Sequence, residues 1–284
     1  MVPPKRALAW TMEQAHTTTS ARSALGLDLG TRTISYDDRD AILYALAVGA
    51  HATELPLVFE RDLHVLPAFA LPHGLWAADE LGSRGYFSST TAVQGSQRFE
   101  VFGELPAAAT VEQRASVAAV WDKGSAAIFE VEVSCELWRA TYAIFAPGCG
   151  GFGGDRGPAA RRSPAEPPAV SVQVPTSPDQ AALYRLTGDR HLIHIEPEAA
   201  RAIGQQRPIL HGLCTLGIAA RTLAGALGHA PWELTALEAR FAAAVLPGDT
   251  LELRAWEPQP DGAIPFVACV GDTVVLDGGS VSFS

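Results

Sequence analysis

The feature that most constrains the fold of this chain is a divergent internal repeat. Residues 41–46 read AILYAL and residues 181–186 read AALYRL, at an offset of 140 residues. The pairs Arg98-Phe99 and Leu105-Pro106 recur as Arg240-Phe241 and Leu246-Pro247 at an offset near 142 residues. One such match could arise by chance, but several matches at nearly one offset indicate that the chain contains two copies of one unit.

Each copy has the same order of elements. A helix-length apolar segment occupies residues 66–81 in the first copy and 210–227 in the second. Stretches rich in β-branched residues follow each segment, at 117–120, 128–133, 266–270 and 273–276. The sequence therefore predicts an α+β protein in which each copy wraps a curved antiparallel sheet around a long helix, with the two sheets joined edge to edge.

The boundaries of the two copies follow from composition. Residues 1–28 show little periodicity and are predicted to be a tail. The first copy spans 29–153 and the second 181–284, with a proline-rich linker at 154–180 that cannot sustain a helix or a central strand. The glycine-rich run 148–157 lacks the spacing and the following helix of a dinucleotide site, so we interpret it as the flexible end of the first copy.

Charge and composition exclude several classes of function. The chain has 284 residues, 48% of them hydrophobic, and a net charge of −10, which disfavours nucleic acid or an anionic membrane as a partner. No apolar run approaches the roughly 18 residues that a membrane-spanning helix needs, and the N-terminus does not resemble a secretory signal. Because its four cysteines show neither metal-ligand nor disulfide spacing, we predict a globular enzyme of the reducing cytoplasm.

The residues that carry chemistry lie in the segment 184–214 of the second copy. Asp189 and His194 stand five residues apart in a stretch that is too polar to be plain core. Together, a carboxylate and an imidazole can hold one water and move its protons. The run Pro-Ile-Leu-His-Gly-Leu at 208–213 opens a long apolar helix, whose first backbone N–H groups can stabilise a developing oxyanion. These groups suit the addition or removal of water beside an activated carbonyl.

This segment resembles the (R)-specific enoyl-CoA hydratases and MaoC-like dehydratases of the hot-dog fold. The family signature runs Tyr-x-x-Ser-Gly-Asp-x-Asn-Pro-x-His-x-Asp-Pro and, after a spacer, Pro-Ile-Leu-His-Gly-Leu or Met. The corresponding residues here are Tyr184, Thr187, Gly188, Asp189, His191, Leu192, His194, Glu196 and Pro197, then 208–213. The resemblance implies a double hot-dog fold, with Asp189 and His194 as the catalytic dyad and Gly212 as the oxyanion-hole residue.

The signature departs from the family at His191-Leu192, where the family has Asn-Pro. The resemblance implies that this Asn supports the hydrogen bonds of the site, so the exchange bears on rate, substrate or reaction type. His191 could replace the Asn as a donor, stack near the thioester, or face solvent. We predict that His191, Arg207 and His211 bind the substrate, with Arg207 meeting the phosphates of coenzyme A or phosphopantetheine.

The same residues also have structural explanations. His194 could be a satisfied core histidine, although alternation with Ile193 and Ile195 would turn it inward if the segment were extended. Gly212 could serve only the packing of its helix, and Arg207 could be a solvated surface residue.

The first copy has lost the dyad. At the repeat offset, Gly49 corresponds to Asp189 and Glu54 corresponds to His194. We predict that this copy binds the acyl group instead, as the resemblance to two-domain members of the family implies.

The predicted reaction is the reversible hydration of a 2-enoyl-CoA to a (3R)-3-hydroxyacyl-CoA by a homodimeric hydro-lyase. We expect no metal and no cofactor besides the coenzyme A or phosphopantetheine of the substrate. Which of Asp189 and His194 is the base stays open, because the two would titrate as a coupled pair. Two alternatives also stay open. One is a biosynthetic dehydratase or cyclase acting on a carrier-protein-bound or polyketide-type intermediate, and the other is a non-catalytic acyl-CoA-binding partner.

Overall fold

A computed structural model describes residues 20–284, in which ten strands form one antiparallel sheet. The strands are β1 Asp28–Tyr36, β2 Val93–Val101, β3 Ala109–Asp122, β4 Ala126–Ser134, β5 Trp138–Pro147, β6 Val170–Pro175, β7 Leu234–Phe241, β8 Thr250–Ala255, β9 Ile264–Val270 and β10 Thr273–Phe283. Their order across the sheet is β1-β3-β4-β5-β2-β7-β10-β9-β8-β6. The first five strands of the chain therefore form one half of the sheet and the last five form the other half.

The two halves join where β2 pairs with β7. Phe99 of β2 lies opposite Leu237 of β7, and each side chain is only 1% exposed. The junction therefore combines backbone hydrogen bonds with a buried apolar contact. The predicted edge-to-edge joining of two repeats, the arrangement of a double hot-dog fold, is confirmed.

The helices differ between the copies. The α-helices are α1 Asp38–Ala47, α2 Leu55–Val58, α3 Trp76–Ser83, α4 Gln180–Tyr184, α5 Pro197–Ala202 and α6 Gly212–Ala226, and 3-10 helices span Ala21–Ala24, Pro67–Gly74, Arg185–Thr187, Leu192–His194 and Pro231–Glu233. The predicted long helix of the second copy is α6, which packs against β7, β8 and β10. Among the described residues, no helix is long and apolar enough to cross a membrane.

In the first copy the predicted helix at 66–81 is broken, which corrects the sequence prediction. It divides into the 3-10 helix Pro67–Gly74 and the α-helix α3. Pro72 has no N–H to donate to the preceding turn. The carbonyl of Leu71 accepts a 2.6 Å hydrogen bond from the Tyr142 hydroxyl. A Cβ at Gly74 would lie 2.2 Å from that hydroxyl, so the tyrosine can approach only a glycine.

The predicted tail at 1–28 does not extend to its predicted end. Residues 1–19 lie outside the described residues. From Ala21 onward the chain is folded, because Ala21 and Ala24 are buried and β1 begins at Asp28.

The predicted linker at 154–180 contains a strand, β6. This strand pairs with β8 at the outer edge of the sheet, and Pro175 is its last residue. An edge position tolerates proline because one side of the strand makes no ladder hydrogen bonds. The expectation that the segment forms no central strand agrees with this position, but the segment is not wholly irregular.

The glycine-rich run 148–157 is held in place rather than loose. The carboxylate of Asp122, at the end of β3, accepts hydrogen bonds of 2.8–3.3 Å from four backbone N–H groups. The donors are Gly124, Gly151, Gly153 and Gly154. These bonds favour the ionised form and lower the pKa of Asp122 to about 2. A buried carboxylate that no sequence pattern marked therefore anchors the end of the first copy.

Candidate active site

The loop that carries Asp189 is shaped by local hydrogen bonds. It begins at Gly188, whose φ of 144° is unfavourable for other residues and whose missing Cβ would lie 3.1 Å from Pro72 of the first copy. One carboxylate oxygen of Asp189 then accepts the backbone N–H of His191 at 3.1 Å. This turn leads into the 3-10 helix Leu192–His194. The loop therefore makes a tight turn and also packs against the first copy.

His194 points inward from this helix and is 7% exposed, whereas Ile195 is 41% exposed. The predicted inward direction agrees with the structure, but the reason given for it was wrong. The segment is a 3-10 helix rather than an extended strand, so strand alternation does not apply.

The His194 imidazole has a defined tautomer. Its Nδ1 lies 2.9 Å from the carbonyl oxygen of Ile209, which can only accept, so Nδ1 carries a hydrogen. In the neutral ring, Nε2 then carries the lone pair. Burial lowers the pKa of His194 and outweighs the opposing effect of Asp189, so the neutral form is favoured. Nε2 is thus ready to accept a proton.

Asp189 and His194 face each other across a gap. The distance from His194 Nε2 to Asp189 Oδ2 is 3.9 Å, and the Asp189 side chain is 21% exposed. This separation is too long for a direct hydrogen bond and suits one bridging water. The structure therefore brings together the two side chains that the sequence predicted to share a water.

His211 does not lie where the prediction of substrate contact would place it. It is 1% exposed, and its ring stacks on that of His194 with centroids 3.6 Å apart and planes 23° apart. Its Nε2 lies 3.1 Å from the backbone oxygen of Asp189. His211 is therefore behind the dyad, and it touches the dyad rather than the open side of the site.

Gly212 follows His211 as the first residue of α6. The first N–H groups of a helix have no partner within the helix, so the Gly212 N–H is available beside the dyad. A Cβ at this position would lie 2.9 Å from the ring of Phe241 in β7. The packing explanation for this glycine therefore has a physical basis, and it is compatible with a second role for the N–H.

The other two predicted substrate-binding residues lie on the surface. His191 is exposed, and its Nδ1 accepts the N–H of Ile193 at 3.4 Å as the cap of the 3-10 helix. An Asn oxygen could make the same bond, which explains how histidine can stand at this position. Arg207 is also exposed, and two residues later the Ile209 N–H donates to the Ile193 carbonyl. This bond ties the segment of Arg207 to the dyad loop.

Three groups of the site are close enough to raise the question of a metal. One ligand atom each from Asp189, His194 and His211 lies within 4.8 Å of the others. The two rings are stacked, however, so their lone pairs lie in separate, nearly parallel planes, and His211 Nε2 already bonds a carbonyl. One ion cannot lie in both planes, so this arrangement fits a water better than a metal.

The corresponding place in the first copy holds an ion pair. Arg221 of α6 donates to Glu54 at 2.9 Å and to the Val48 carbonyl at 3.2 Å. Its side chain is 12% exposed, and it borders a cavity of about 280 Å³ beside Gly49. The sequence predicted the loss of the dyad here. It did not predict the ion pair, because Arg221 and Glu54 are 167 residues apart in the chain.

Comparisons with known proteins agree with this geometry. Residues 160–262 match the model of the MaoC like domain, and residues 34–145 match that of the MFE-2 hydratase 2 N-terminal domain. The 3-hydroxyacyl-thioester dehydratase Y of Mycobacterium tuberculosis is 35% identical over 272 residues, which cover 87% of this chain and 93% of that protein. The chain belongs to the MaoC-like dehydratase and hydratase 2 family. The sequence prediction of the family, and of a hydro-lyase, is confirmed.

Other relatives of this MaoC-like protein extend the match. Enoyl-CoA hydratase ChsH3 of M. tuberculosis is 34% identical over 275 residues, covering 90% of this chain and 96% of that protein. The crystal structure of a MaoC-like dehydratase from Phytophthora capsici superposes with a TM-score of 0.81 at 26% identity, covering 94% of this chain and 99% of that one.

Proposed function

We propose that this protein catalyses the reversible addition of water to a 2-enoyl-CoA, giving a (3R)-3-hydroxyacyl-CoA. The observation that supports this most is the 3.9 Å separation between His194 Nε2 and Asp189 Oδ2. Both atoms accept hydrogen bonds. A water between them would donate one hydrogen to each and keep its lone pairs free for attack on C3.

His194 is the better candidate for the base. As the water oxygen attacks C3, one O–H proton passes to Nε2, and the π electrons move onto the thioester oxygen as an enolate. The imidazolium then returns the proton to C2 on the same face, which completes the addition of H and OH. Asp189 holds the second hydrogen of the water and stabilises the transient imidazolium. Dehydration follows the same steps in reverse.

Gly212 is proposed to stabilise the enolate oxygen. Its N–H opens α6, a helix of 15 residues, and the helix dipole favours negative charge at this end. Loss of one such donor costs on the order of 100-fold to 1000-fold in rate.

The acyl group is proposed to extend along the first copy. The contact of Gly188 with Pro72 places the dyad loop directly against the 3-10 helix of that copy. At the exposed side of the site, Arg207 and His191 are proposed to meet the coenzyme A part of the substrate, with Arg207 pairing with phosphate. No further cofactor enters this scheme.

A second candidate is dehydration of a carrier-protein-bound 3-hydroxyacyl thioester. Leu192 favours it, because this side chain is 54% exposed where the family signature has proline. An exposed apolar side chain beside the site is suited to contact with a protein surface.

The experiment is to follow the enoyl absorbance of crotonyl-CoA and of longer 2-enoyl-CoA substrates with the purified protein. The same acyl groups on a carrier protein form the second arm, and chiral analysis of the product tests for the (3R) isomer. A higher kcat/KM for the coenzyme A substrates supports the first candidate, and the reverse order supports the second. A folded protein that hydrates neither type would contradict both.

We also propose that the protein is a cytoplasmic homodimer. Its four cysteines are free thiols, as expected in a reducing compartment. Leu55, Val93 and Phe102 of the first copy are each more than 50% exposed and offer apolar surface for a second copy. Light scattering of the purified protein and fractionation of cells test the two statements.

A further inference from the structure

His211 contacts each part of the candidate site, although it lies behind it. Its ring covers the face of His194, its Nε2 bonds the backbone of Asp189, and its own backbone leads into Gly212. With 1% exposure it has no open path to substrate. A residue in this position acts through its neighbours.

The hydrogen bond to Asp189 fixes the protonation state of His211. A carbonyl oxygen can only accept, so Nε2 carries the hydrogen and, in the neutral ring, Nδ1 carries a lone pair. Among the described residues, Nδ1 is buried without a hydrogen-bond partner. Burial lowers the pKa of His211 well below its usual value, and the cationic form of His194 would lower it further. Arg185 lowers the pKa in the same direction, and Asp189 opposes it.

We propose that His211 is a positioning residue whose neutral Nε2–H tautomer sets the gap between Asp189 and His194. This inference rests on the proposed function. The hydrogen bond fixes the backbone of Asp189, and the stacked ring prevents His194 from tilting. Because His211 also immediately precedes Gly212, this one residue positions both the dyad and the N–H proposed to stabilise the enolate oxygen.

Two properties of the ring matter for this role. A flat side chain fits the 3.6 Å stacking distance, and a neutral one does not repel the imidazolium that His194 becomes during turnover. A displacement of about 1 Å in such a site can cost on the order of 100-fold in rate.

Three variants separate the hydrogen bond from the stacking. In His211→Gln the amide nitrogen reaches the place of Nε2, in His211→Asn it reaches only the place of Nδ1, and His211→Phe keeps the ring without a donor. We expect His211→Phe and His211→Asn to lower kcat by about 10-fold to 100-fold with KM nearly unchanged. His211→Gln should lose less kcat than His211→Asn, because it restores the donor although it lacks the stacked ring. Thermal unfolding of each variant shows whether a loss reflects folding.

Equal losses in His211→Gln and His211→Asn, or wild-type kcat in His211→Phe, would overturn the proposal. A rise in KM without a fall in kcat would also overturn it, because that result indicates substrate contact.

A measurement without substrate keeps this test separate from the proposed function. Nitrogen-15 NMR of labelled histidine distinguishes the two neutral tautomers and the cation. At neutral pH we expect His211 to be the neutral Nε2–H tautomer, and we expect its signal to change in His194→Ala. If the wild type has this tautomer but hydrates no enoyl thioester, the proposed function fails while the geometry of His211 stands. An Nδ1–H tautomer or a cation would refute the inference itself.

Discussion

Tyr44 and Tyr184, which occupy the same position in the two copies, pack against each other with ring centroids 5.9 Å apart. Both side chains are fully buried, and burial raises the pKa of each well above its usual value. The repeated AxLYxL motif thus marks where the copies meet. This contact explains why Tyr44 is retained in the copy without a dyad.

The first prediction concerns the dyad. Asp189→Asn keeps the shape of the side chain but removes its charge, and His194→Ala removes the proton acceptor. Each should lower kcat for enoyl-CoA hydration by about 100-fold or more, measured at the enoyl absorbance. The double variant should be little slower than either single variant, because two groups that hold one water act as a unit.

An exposed neighbour, Glu198, provides the control for the dyad variants. Glu198→Gln makes the same kind of charge change on α5 and should leave kcat unchanged. Wild-type turnover in both dyad variants would show that groups other than Asp189 and His194 carry the hydration.

The second prediction concerns the departure from the family signature. In His191→Asn the amide oxygen can take over the bond that Nδ1 now accepts from Ile193, so the variant should keep or gain enoyl-CoA hydration. His191→Ala loses this cap and should destabilise the loop by about 1 kcal/mol. Comparison of kcat/KM for the two variants is the test. A fall in His191→Asn that equals the fall in His191→Ala would mean that the imidazole itself serves the native substrate.

The third prediction concerns acid stability. Burial lowers the pKa of His73, in the 3-10 helix of the first copy, to about 4, and its Nε2 is buried without a partner among the described residues. Because the folded pKa is below the usual value, the unfolded chain binds the proton first. The free energy of unfolding is therefore not reduced by His73 above about pH 6.5, and it decreases as pH falls from there toward about 4.

His73→Phe removes this loss, because phenylalanine does not bind a proton. Its ring can also keep the edge contact with Phe69. Urea unfolding measures the free energy of unfolding of the variant and of wild type. The variant minus wild-type difference should be about 1 to 2 kcal/mol larger at pH 5 than at pH 7. The same experiment on exposed His51, changed to Phe, should show no such gain. A difference between wild type and His73→Phe that does not change with pH would contradict the prediction.

The fourth prediction concerns the carboxylate that holds the glycine-rich run. Asp122→Asn places an amide donor against four N–H groups, so residues 148–157 should loosen and trypsin should cut faster after exposed Arg156. Asp155→Asn is the matched control, because Asp155 accepts only the nearby Gly157 N–H in that run. Because the pKa of Asp122 in the folded protein is about 2, its carboxylate should keep its hydrogen bonds to residues 148–157 at neutral pH. These bonds should be lost only as pH falls toward that value. Equal cleavage rates in both variants would contradict this role.

The sequence was sufficient for what depends on local spacing. The repeat offset predicted two copies joined through their sheets, and the spacing of Asp189 and His194 predicted that they would face one water-sized gap. Pro72 was visible inside the first apolar segment, yet apolar periodicity alone suggested one helix there. The inward direction of His194 agreed with the structure although the local conformation was wrong, because burial of the ring depends on its contact with Ile209 and not on strand alternation.

The sequence could not show contacts between segments that are far apart in the chain and meet only in the folded protein. The stacking of His211 on His194 requires the start of α6 to lie over the dyad loop. The bonds of Asp122 to distant glycines likewise depend on where β3 ends. No spacing rule describes such contacts, since they arise only when the sheet closes on the helix.

The ion pair between Arg221 and Glu54 makes a second Asp/His pair difficult to build in the first copy. A second dyad in the first copy would need Asp at position 49 and His at position 54. Replacing Glu54 would leave a guanidinium that is only 12% exposed without its carboxylate, at a cost on the order of 3 kcal/mol. Arg221 belongs to the other copy, so a second dyad could be built without leaving a buried unpaired charge only by coordinated changes in both copies. A single exchange at Glu54 would give a less stable protein.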